Sequence, residues 1–430
     1  MRSFELAGIP FEAVEAHSEV GGIWDIENPG SPMYESAHFI SSKYRSAYVD
    51  HPFGSDVPDY PSHRDVLAYL RGYADLHDLR RHVRFGVTVL SAEPEADGWS
   101  VTFDDGTTQS YAGLFACPGF QRVPNLPEIP GQFAGEIYHV QDYRSRNQFA
   151  GKRVLVVGGG NSGVDVACDA AIGADVARIS TRRGYWIYPQ YVEGLPLDFF
   201  SMNTVASQEA LVEWLRSQVG DLTRFGLPEP DHLPLTHHPI VNSQILHHIG
   251  HGELEHRVDV RSFSGKTVTF VDGRDEDFDV VVLATGYRDE IPFLAPRHLR
   301  ISAGPESDLF FWTFHKRYQN LFVSGVANLD DSGYYGFNSV GDMVANHILL
   351  RQADPARYRA LRSVIETEHP DLTGGFEYYD RSGHLEYING AVADAYADEL
   401  FERFALETFT TCQEGATPMQ QRRIAEGAHV

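Results

Sequence analysis

The chain has 430 residues, 42% of them hydrophobic and 22% charged, so we expect two or three domains with a large buried core. Its net charge of −25, from 60 acidic and 35 basic side chains, argues against a nucleic-acid partner, which requires a clustered basic surface. The three cysteines are too far apart for a disulfide framework, and no apolar run approaches the roughly 18 residues of a membrane span, so we expect a cytoplasmic protein without membrane contact.

The first segment has the pattern of a partial nucleotide-binding unit. Residues 4–7 are expected to end a helix at Gly8, and residues 10–14 to form a strand with Glu15 at its tip. In a Rossmann unit an acid at this position binds a ribose hydroxyl. A glycine pair and an aromatic residue follow, which suit close approach of the backbone to a flat cofactor. These further candidate contacts are Gly21, Gly22 and Trp24.

Three patterns follow before the middle of the chain. Apolar residues at helical spacing behind Ser62 predict a helix over 62–76. Residues 83–119 alternate apolar and polar, and an Asp-Gly pair within them marks a hairpin turn. A break rich in Pro and Gly at 118–130 then indicates that a second unit begins soon after.

The strongest motif is G-x-G-x-x-G, which stands between the apolar run 154–157 and a predicted helix. Glycines are needed because the strand must turn sharply, the backbone must approach a pyrophosphate, and the helix must pack closely on the strand. The alternative is a glycine turn without a ligand. The candidate phosphate contacts are Gly158, Gly160, Asn161, Ser162 and Gly163.

The end of the next strand decides which dinucleotide fits. Where an NAD site offers an acid to the ribose, this chain offers Ser180, Arg182 and Arg183, which suit a 2′-phosphate through charge-assisted hydrogen bonds. NADP is therefore the preferred cofactor. The alternative, a solvated strand end, would leave NADH usable.

The spacing between glycine turn and strand end in the second unit can be applied to the first. Gly158 and Ser180 are 22 residues apart. The same spacing counted back from Glu15 places the corresponding glycine about seven positions before Met1. The sequence therefore predicts that the first unit keeps its ribose acid while its phosphate turn lies outside the given chain.

A further fingerprint, F-x-G-x-x-x-H-x-x-x-Y, spans residues 133–143 and includes His139. Thr285 and Gly286 follow later, in an Ala-Thr-Gly-Tyr string at the end of a predicted strand. With Glu15, GGIW, GGGNSG and STRR in this order, the chain resembles the class B flavoprotein monooxygenases, specifically the flavin-containing monooxygenases. The resemblance covers essentially the whole chain.

This resemblance implies an α/β fold with two dinucleotide-binding, Rossmann-like domains. The NADP domain is expected to be inserted in the FAD domain, whose first βα unit is truncated. The expected limits are 1–147 for the first part of the FAD-binding domain, 148–287 for the NADP-binding domain, and 288–430 for the second part of the FAD-binding domain with C-terminal helices.

The resemblance also implies the chemistry, which is similar to that of N,N-dimethylaniline monooxygenase. NADPH reduces FAD, O2 gives a flavin C4a-hydroperoxide, and one oxygen atom passes to a soft nucleophile, an amine or a sulfide. A small-molecule substrate and O2 are the expected partners, no metal is expected, and a homodimer stays open. Tyr143 stands where ketone-oxygenating Baeyer–Villiger relatives usually carry Trp, which favours oxygenation of nitrogen or sulfur.

Ile40 departs from the family pattern. In the segment 34–43 the family commonly carries an Asn at this position, and that Asn contacts the flavin or NADP region. Ile cannot form such a hydrogen bond. We therefore expect leakage of hydrogen peroxide to rise, unless the neighbouring His38 or Ser41 substitutes for the amide.

Three hypotheses follow from these patterns. The first is an FAD- and NADPH-dependent monooxygenase acting on an amine or sulfide. The second is Baeyer–Villiger-type ketone oxygenation or an uncoupled NADPH oxidase, and the third is a flavin-free, non-catalytic NADP-binding protein. In the first two, the substrate pocket is expected to be lined by residues from 185–200 and 334–338.

Overall fold

The computed structural model describes residues 1–200, 208–301, 306–329, 333–378 and 387–411, so Cys412 lies outside the described residues. Among the described residues, every helix is too short or too polar to span a bilayer. The α-helices, numbered α1 to α8 in chain order, are Arg2–Leu6, His63–Leu76, Asn161–Gly173, Gln208–Val219, Gln244–Gly250, Gly333–Ala353, Pro355–Thr367 and Gly390–Arg403.

Short strands make up the rest of the regular structure. Numbered β1 to β24 in chain order, they are Ala13–Glu15, Val83–Phe85, Val89–Pro94, Trp99–Phe103, Thr108–Tyr111, Leu114–Ala116, Val123–Pro124, Gly131–Phe133, Glu136–His139, Arg153–Val157, Val176–Ser180, Tyr191–Val192, Leu195–Pro196, Leu254–Arg257, Val260–Gly265, Thr267–Phe270, Asp275–Asp277, Val280–Leu283, Tyr287–Arg288, Leu309–Phe310, Phe314–His315, Leu321–Val323, Asn328–Leu329 and Tyr387–Ile388. The α/β class predicted from the sequence is confirmed.

Local signals at the start of the chain were mostly correct. Ser62 caps α2 through a capping box, in which its hydroxyl accepts from the backbone N–H of Asp65 and the Asp65 carboxylate accepts from the backbone of Ser62. Gly8 follows α1 with φ of 67°. The strand predicted to begin at Pro10 was wrong in its start, since β1 begins at Ala13; proline has no N–H to give to a ladder.

α6, over Gly333–Ala353, is the longest of the described helices. α4 ends at Val219, where Gly220 adopts φ of 78° and the chain turns away.

The second unit is built around β10, the central strand of a five-stranded parallel sheet in the order β14-β11-β10-β18-β9. Val154 and Val156 on β10 face the core shared with α3, whereas Leu155 and Val157 face a second core. That second core is covered by the four-stranded sheet β17-β16-β15-β8. Strands β8 and β9 come before residue 148 in the chain, and the domain limits given above stay a prediction.

Three further sheets belong to the first unit. β1 pairs in parallel with β2, while β6 pairs in parallel with β22 at the edge of the sheet β20-β21-β22-β6. β3, β4 and β5 form an antiparallel meander whose turn at Asp105 and Gly106 was predicted. α1, α7 and α8 pack on α6. β1 and β6 line the same cleft, and no described strand pairs with the second edge of either.

Candidate dinucleotide-binding cleft

One continuous cleft of about 2620 Å³ runs through the molecule from Glu15 to the Gly158 turn. It brings together nearly all the residues that the sequence singled out. The buried His139 and Tyr143 are not among its lining residues. The predicted residues that line it are Glu15, Gly21, Gly22, Trp24, Ile40, Gly158, Gly160, Asn161, Ser162, Gly163, Ser180, Arg182, Arg183, Thr285 and Gly286.

The glycine turn connects the end of β10 to the start of α3 and has the steric demands that its sequence implies. Gly158 has φ of 124°, and a Cβ atom there would collide with the carbonyl oxygen of Ala284. A Cβ atom on Gly163 would collide with the carbonyl oxygen of Gly158, so this residue allows the helix to lie against the strand. The turn therefore offers backbone N–H groups and a helix N-terminus to an anion.

Both polar atoms of the Asn161 side chain are hydrogen-bonded to a loop of the same chain. Its Nδ2 donates to the carbonyl oxygen of Pro239 at 2.9 Å, and its Oδ1 accepts from the backbone N–H of Val241 at 3.1 Å. The side chain therefore holds the end of the Pro- and His-rich loop, residues 227–239, over the glycine turn. This position was predicted from the motif, but its partner was not.

The end of β11 presents its arginines to the cleft. Ser180 is buried and its hydroxyl donates to the carbonyl oxygen of Val258 at 2.8 Å, so it holds the strand end. Arg182 is exposed and Arg183 half-buried. Thr181 donates to the carbonyl oxygen of Arg183 at 2.9 Å, and this hydrogen bond closes the turn that carries both guanidinium groups.

Thr181 is itself held from behind by His256, which the sequence analysis missed. Because the Thr181 hydroxyl donates elsewhere, it accepts from Nε2 of His256, 2.9 Å away. Burial, followed by the charge of Arg257, lowers the pKa of His256 to about 4. The imidazole is therefore neutral near pH 7 and acts as a hydrogen-bond donor behind the arginine turn.

At the other end of the cleft, Glu15 lies at the tip of β1. Its Oε1 accepts the backbone N–H of His17 at 2.8 Å. Gly21 has φ of 141° and a Cβ atom there would collide with the side chain of Leu67, while Gly22 has φ of 54°. The backbone at Gly21 therefore requires glycine, and the backbone at Gly22 favours it.

A small polar cluster that sequence reasoning missed fixes this corner. Asp25 accepts from Nε2 of His17 at 3.0 Å and from Arg71 at 2.7 Å. Burial works against ionisation of Asp25, but the hydrogen bond from His17 and the charge of Arg71 together lower its pKa. The cluster ties the segment after Glu15 to α2.

His139 joins the end of β9 to the segment that follows the neighbouring strand β18. Its Nε2 donates to the carbonyl oxygen of Gly286 at 3.0 Å, while its Nδ1 accepts from the backbone N–H of Gln141 at 3.2 Å. Burial lowers the pKa of His139. Thr285 donates to the carbonyl oxygen of Asn125 at 2.6 Å, so this string also holds the connection to the first unit.

Ile40 lies between the cleft and an apolar cluster. Its half-buried side chain packs against the cluster that contains Trp186, Tyr188 and Phe376. An apolar side chain is therefore suited to this position. The two neighbours considered as substitutes have local partners: Nδ1 of His38 lies 2.6 Å from the carbonyl oxygen of Ser36, and the hydroxyl of Ser41 lies 2.7 Å from that of Ser46.

Two carboxylates on α3, the half-buried Asp165 and the buried Asp169, connect the second unit to the segment before Ile40. Asp165 accepts from the hydroxyl of Tyr34 at 2.8 Å, and burial raises the pKa of Asp165. Asp169 accepts from Ser36 at 2.5 Å and from the hydroxyl of Tyr143 at 2.8 Å. Tyr143 is fully buried, so its hydroxyl needs this partner. The network was not foreseen because its contacts join segments that lie 26 to 133 residues apart in sequence.

Among the described residues, no group of three or more His, Cys, Asp or Glu side chains is placed to hold a metal ion. For dinucleotides the fit differs between the two ends of the cleft. At one end, the Gly158 turn and its arginines are suited to phosphate groups. At the other end, the described residues offer the carboxylate of Glu15 and two glycines, but no glycine turn suited to a pyrophosphate.

Comparison with known proteins places these features in a family. The model of the flavin-binding monooxygenase-like family matches residues 6–319. Flavin-containing monooxygenase 5 of Homo sapiens is 32% identical in an alignment of 308 positions that covers 65% of this chain and 58% of that protein. Dimethylaniline monooxygenase [N-oxide-forming] 2 of Oryctolagus cuniculus is 29% identical in an alignment of 322 positions that covers 68% of this chain and 60% of that protein. The match thus spans about three fifths of the length of these relatives.

Solved structures share the fold. The crystal structure of cyclohexanone monooxygenase from Rhodococcus sp. Phi1 bound to NADP+ superposes with a TM-score of 0.66 at 17% identity, covering 94% of both chains. That of Tmm from Pelagibacter sp. strain HTCC7211 gives a TM-score of 0.64 at 17% identity, covering 99% of this chain and 86% of the other. The two Rossmann-type units predicted from the sequence are the fold of these proteins. Because the family model matches well over half of its residues, the chain belongs to the flavin-binding monooxygenase-like family.

Proposed function

We propose that this protein is an FAD- and NADPH-dependent monooxygenase that transfers one oxygen atom from O2 to a soft nucleophile, an amine or a sulfide. The observation that carries the proposal is the single cleft in which the ribose acid of one unit and the phosphate turn of the other face the same space. Two dinucleotides bound in one cleft can exchange a hydride directly, since neither has to leave. Family membership supplies the reaction class.

The NADP end of the site is supported by the residues present. The backbone N–H groups that follow Gly158 would hold the pyrophosphate, and Arg182 and Arg183 would hold the 2′-phosphate. Thr181 and His256 keep the arginine turn in place. NADPH is therefore the proposed reductant.

The FAD end is supported in part. Glu15 would accept ribose hydroxyls, and Gly21 and Gly22 would let the flavin ring approach the backbone next to Trp24. When bound, flavin supplies the activation of O2. The contribution of the protein is to position both cofactors and to exclude water, for which the apolar packing around Ile40 is suited.

The packing of Ile40 also favours a second candidate, uncoupled NADPH oxidation. An apolar side chain at this position gives no hydrogen bond to a polar intermediate, so part of the reducing power would be released as hydrogen peroxide. Ketone oxygenation is the other alternative, although Tyr143, whose hydroxyl donates to Asp169, stands where ketone-oxygenating relatives usually carry Trp. Measuring hydrogen peroxide, and the ester or lactone formed from a ketone, would separate these outcomes from oxygenation of nitrogen or sulfur.

The unpaired edges of β1 and β6 favour a third candidate, a flavin-free NADP-binding protein. A visible spectrum of the purified chain after incubation with FAD and removal of free cofactor tests this directly. Flavin absorbance with NADPH oxidation that rises on adding dimethylaniline or methyl phenyl sulfide would support the proposal. Absence of flavin bands would overturn it for this chain, and equal rates with and without substrate, with one peroxide per NADPH, would support the oxidase instead.

A further inference from the structure

The middle glycine of the phosphate turn is covered by an aromatic ring. A Cβ atom built on Gly159 would lie 2.5 Å from Cε2 and 2.8 Å from Cδ2 of Tyr185, closer than real side chains approach. Gly159 is not among the glycines with positive φ, so its backbone does not require glycine. The absence of a side chain at Gly159 is therefore explained chiefly by the ring of Tyr185, with the methyl group of Thr181 at 2.9 Å on the same space.

The backbone around Tyr185 is fixed on both sides. Gly184 forms a bridge with Pro230, and a Cβ atom on Gly184 would collide with carbonyl oxygens of the same loop. Ile187 forms a second bridge, with Ile240. Because the chain is anchored before and after Tyr185, the ring has little freedom to leave Gly159.

The ring faces the cleft next to the groups suited to phosphates. Tyr185 is half-buried and lines the cleft, and the imidazole of His237 packs edge-on against it with centroids 5.2 Å apart and planes at 64°. Arg182 and Arg183 precede it in the same turn and line the same cleft. An aromatic ring beside a phosphate turn and two arginines is suited to pack against a purine base.

We infer that Tyr185, seated on Gly159 and supported by His237, forms the wall of a subsite for the adenosine half of the dinucleotide. The inference rests on the proposed function, because it requires the Gly158 turn to bind NADP. It adds a residue that contributes base contacts, where the glycine turn and the arginines contribute phosphate contacts. It also gives a reason for a glycine that the motif itself leaves free.

Binding of adenosine 2′,5′-bisphosphate to the whole chain, measured by titration calorimetry, tests the inference without flavin or turnover. Tyr185→Ala should weaken binding about tenfold, while Tyr185→Phe, which keeps the ring, should stay within about twofold. Tyr191→Ala is the control, since Tyr191 is 47% exposed and lies outside the cleft. If Tyr185→Ala binds as tightly as the control, the inference is wrong.

A double-mutant cycle tests the contact between ring and glycine. Gly159→Ala should weaken binding of the same probe about as much as Tyr185→Ala, because the new methyl group displaces the ring. The same change made in Tyr185→Ala should cost much less. The methyl group of Thr181, which also lies near the Gly159 position, is present in both backgrounds and cancels. Equal losses of affinity in the two backgrounds would contradict the proposed contact between the Tyr185 ring and Gly159.

Inorganic pyrophosphate distinguishes a base contact from damage to the turn. Tyr185→Ala should leave its affinity within about twofold of the parent chain, whereas a parallel loss for pyrophosphate would mean that Tyr185 only supports the turn. If the parent chain binds neither probe, the nucleotide site of the proposed function fails together with this inference. If the parent chain binds both and the variants do too, only the inference fails.

Discussion

Nε2 of His139 lies 3.0 Å from the carbonyl oxygen of Gly286, and this hydrogen bond joins the end of β9 to the segment that follows the adjacent parallel strand β18. Gly286 has φ of 80° and lies where the chain leaves the second unit. His139 therefore fixes the point at which the two units connect. Its other ring nitrogen is occupied by the backbone of Gln141, which sets the tautomer.

His139→Ala should lower the free energy of unfolding by about 2 kcal/mol, because it removes the hydrogen bond to Gly286 and leaves the buried backbone N–H of Gln141 without its acceptor. Denaturation by urea, followed by tryptophan fluorescence, measures the change. His251→Ala is a suitable control, since the side chain of His251 is 56% exposed. Equal unfolding midpoints for the two variants would show that the contact to Gly286 contributes nothing.

His347→Leu should stabilise the protein, and more at low pH. Neither ring nitrogen of the buried His347 has a hydrogen-bond partner among the described residues, and burial lowers its pKa to about 3 from an ordinary value of 6.5. Unfolding then takes up a proton at pH values between these two, so the native chain loses stability as pH falls from 6.5 towards 3.

The replacement removes this loss. We expect His347→Leu to gain about 1 kcal/mol at pH 8, where only the unpaired nitrogens matter, and about 2 kcal/mol more at pH 5. Urea titrations at both pH values, with His251→Leu as control, provide the comparison. A gain that does not grow on acidification would contradict a buried, neutral His347.

Arg182→Ala combined with Arg183→Ala should raise KM for NADPH at least tenfold and leave KM for NADH within about twofold, because only NADPH carries the 2′-phosphate. Initial rates with each reductant give the comparison. Arg224→Ala, at an exposed position, controls for the loss of positive charge. Equal effects on both reductants would mean that the arginines do not bind the phosphate.

Ile40→Asn should lower the hydrogen peroxide formed per NADPH by about half, because an amide would add the hydrogen bond that Ile lacks. It should also cost about 1 kcal/mol of stability through lost apolar packing. A peroxide assay beside NADPH consumption is the measurement, with Ile40→Val as the matched apolar control. An unchanged peroxide yield would refute this explanation of Ile40.

The sequence was most informative where a few neighbouring residues determine the structure. The capping box at Ser62, the turn at Gly158 and the arginines after Ser180 all depend on short segments with well-defined requirements. Their positions could be predicted because backbone geometry restricts which residues fit. The same holds for Gly21 and Gly22, whose φ values only glycine adopts readily.

Contacts between distant segments could not be read in this way. The ring of Tyr185 on Gly159, the hydroxyl of Tyr143 on Asp169 and the packing of Ile40 all depend on how separate elements meet. Ile40 was judged against a family pattern, and its apolar neighbours became visible only in the folded chain. Tertiary packing decides such positions, and periodicity does not record it.

The most direct test of the proposed function is the fate of molecular oxygen. The chain is reconstituted with FAD, supplied with NADPH and methyl phenyl sulfide under 18O2, and the product is analysed by mass spectrometry. We expect a sulfoxide carrying one 18O atom, in an amount that approaches the NADPH consumed less the peroxide formed. Consumption of NADPH without labelled sulfoxide, or a sulfoxide that carries oxygen from water, would contradict a monooxygenase.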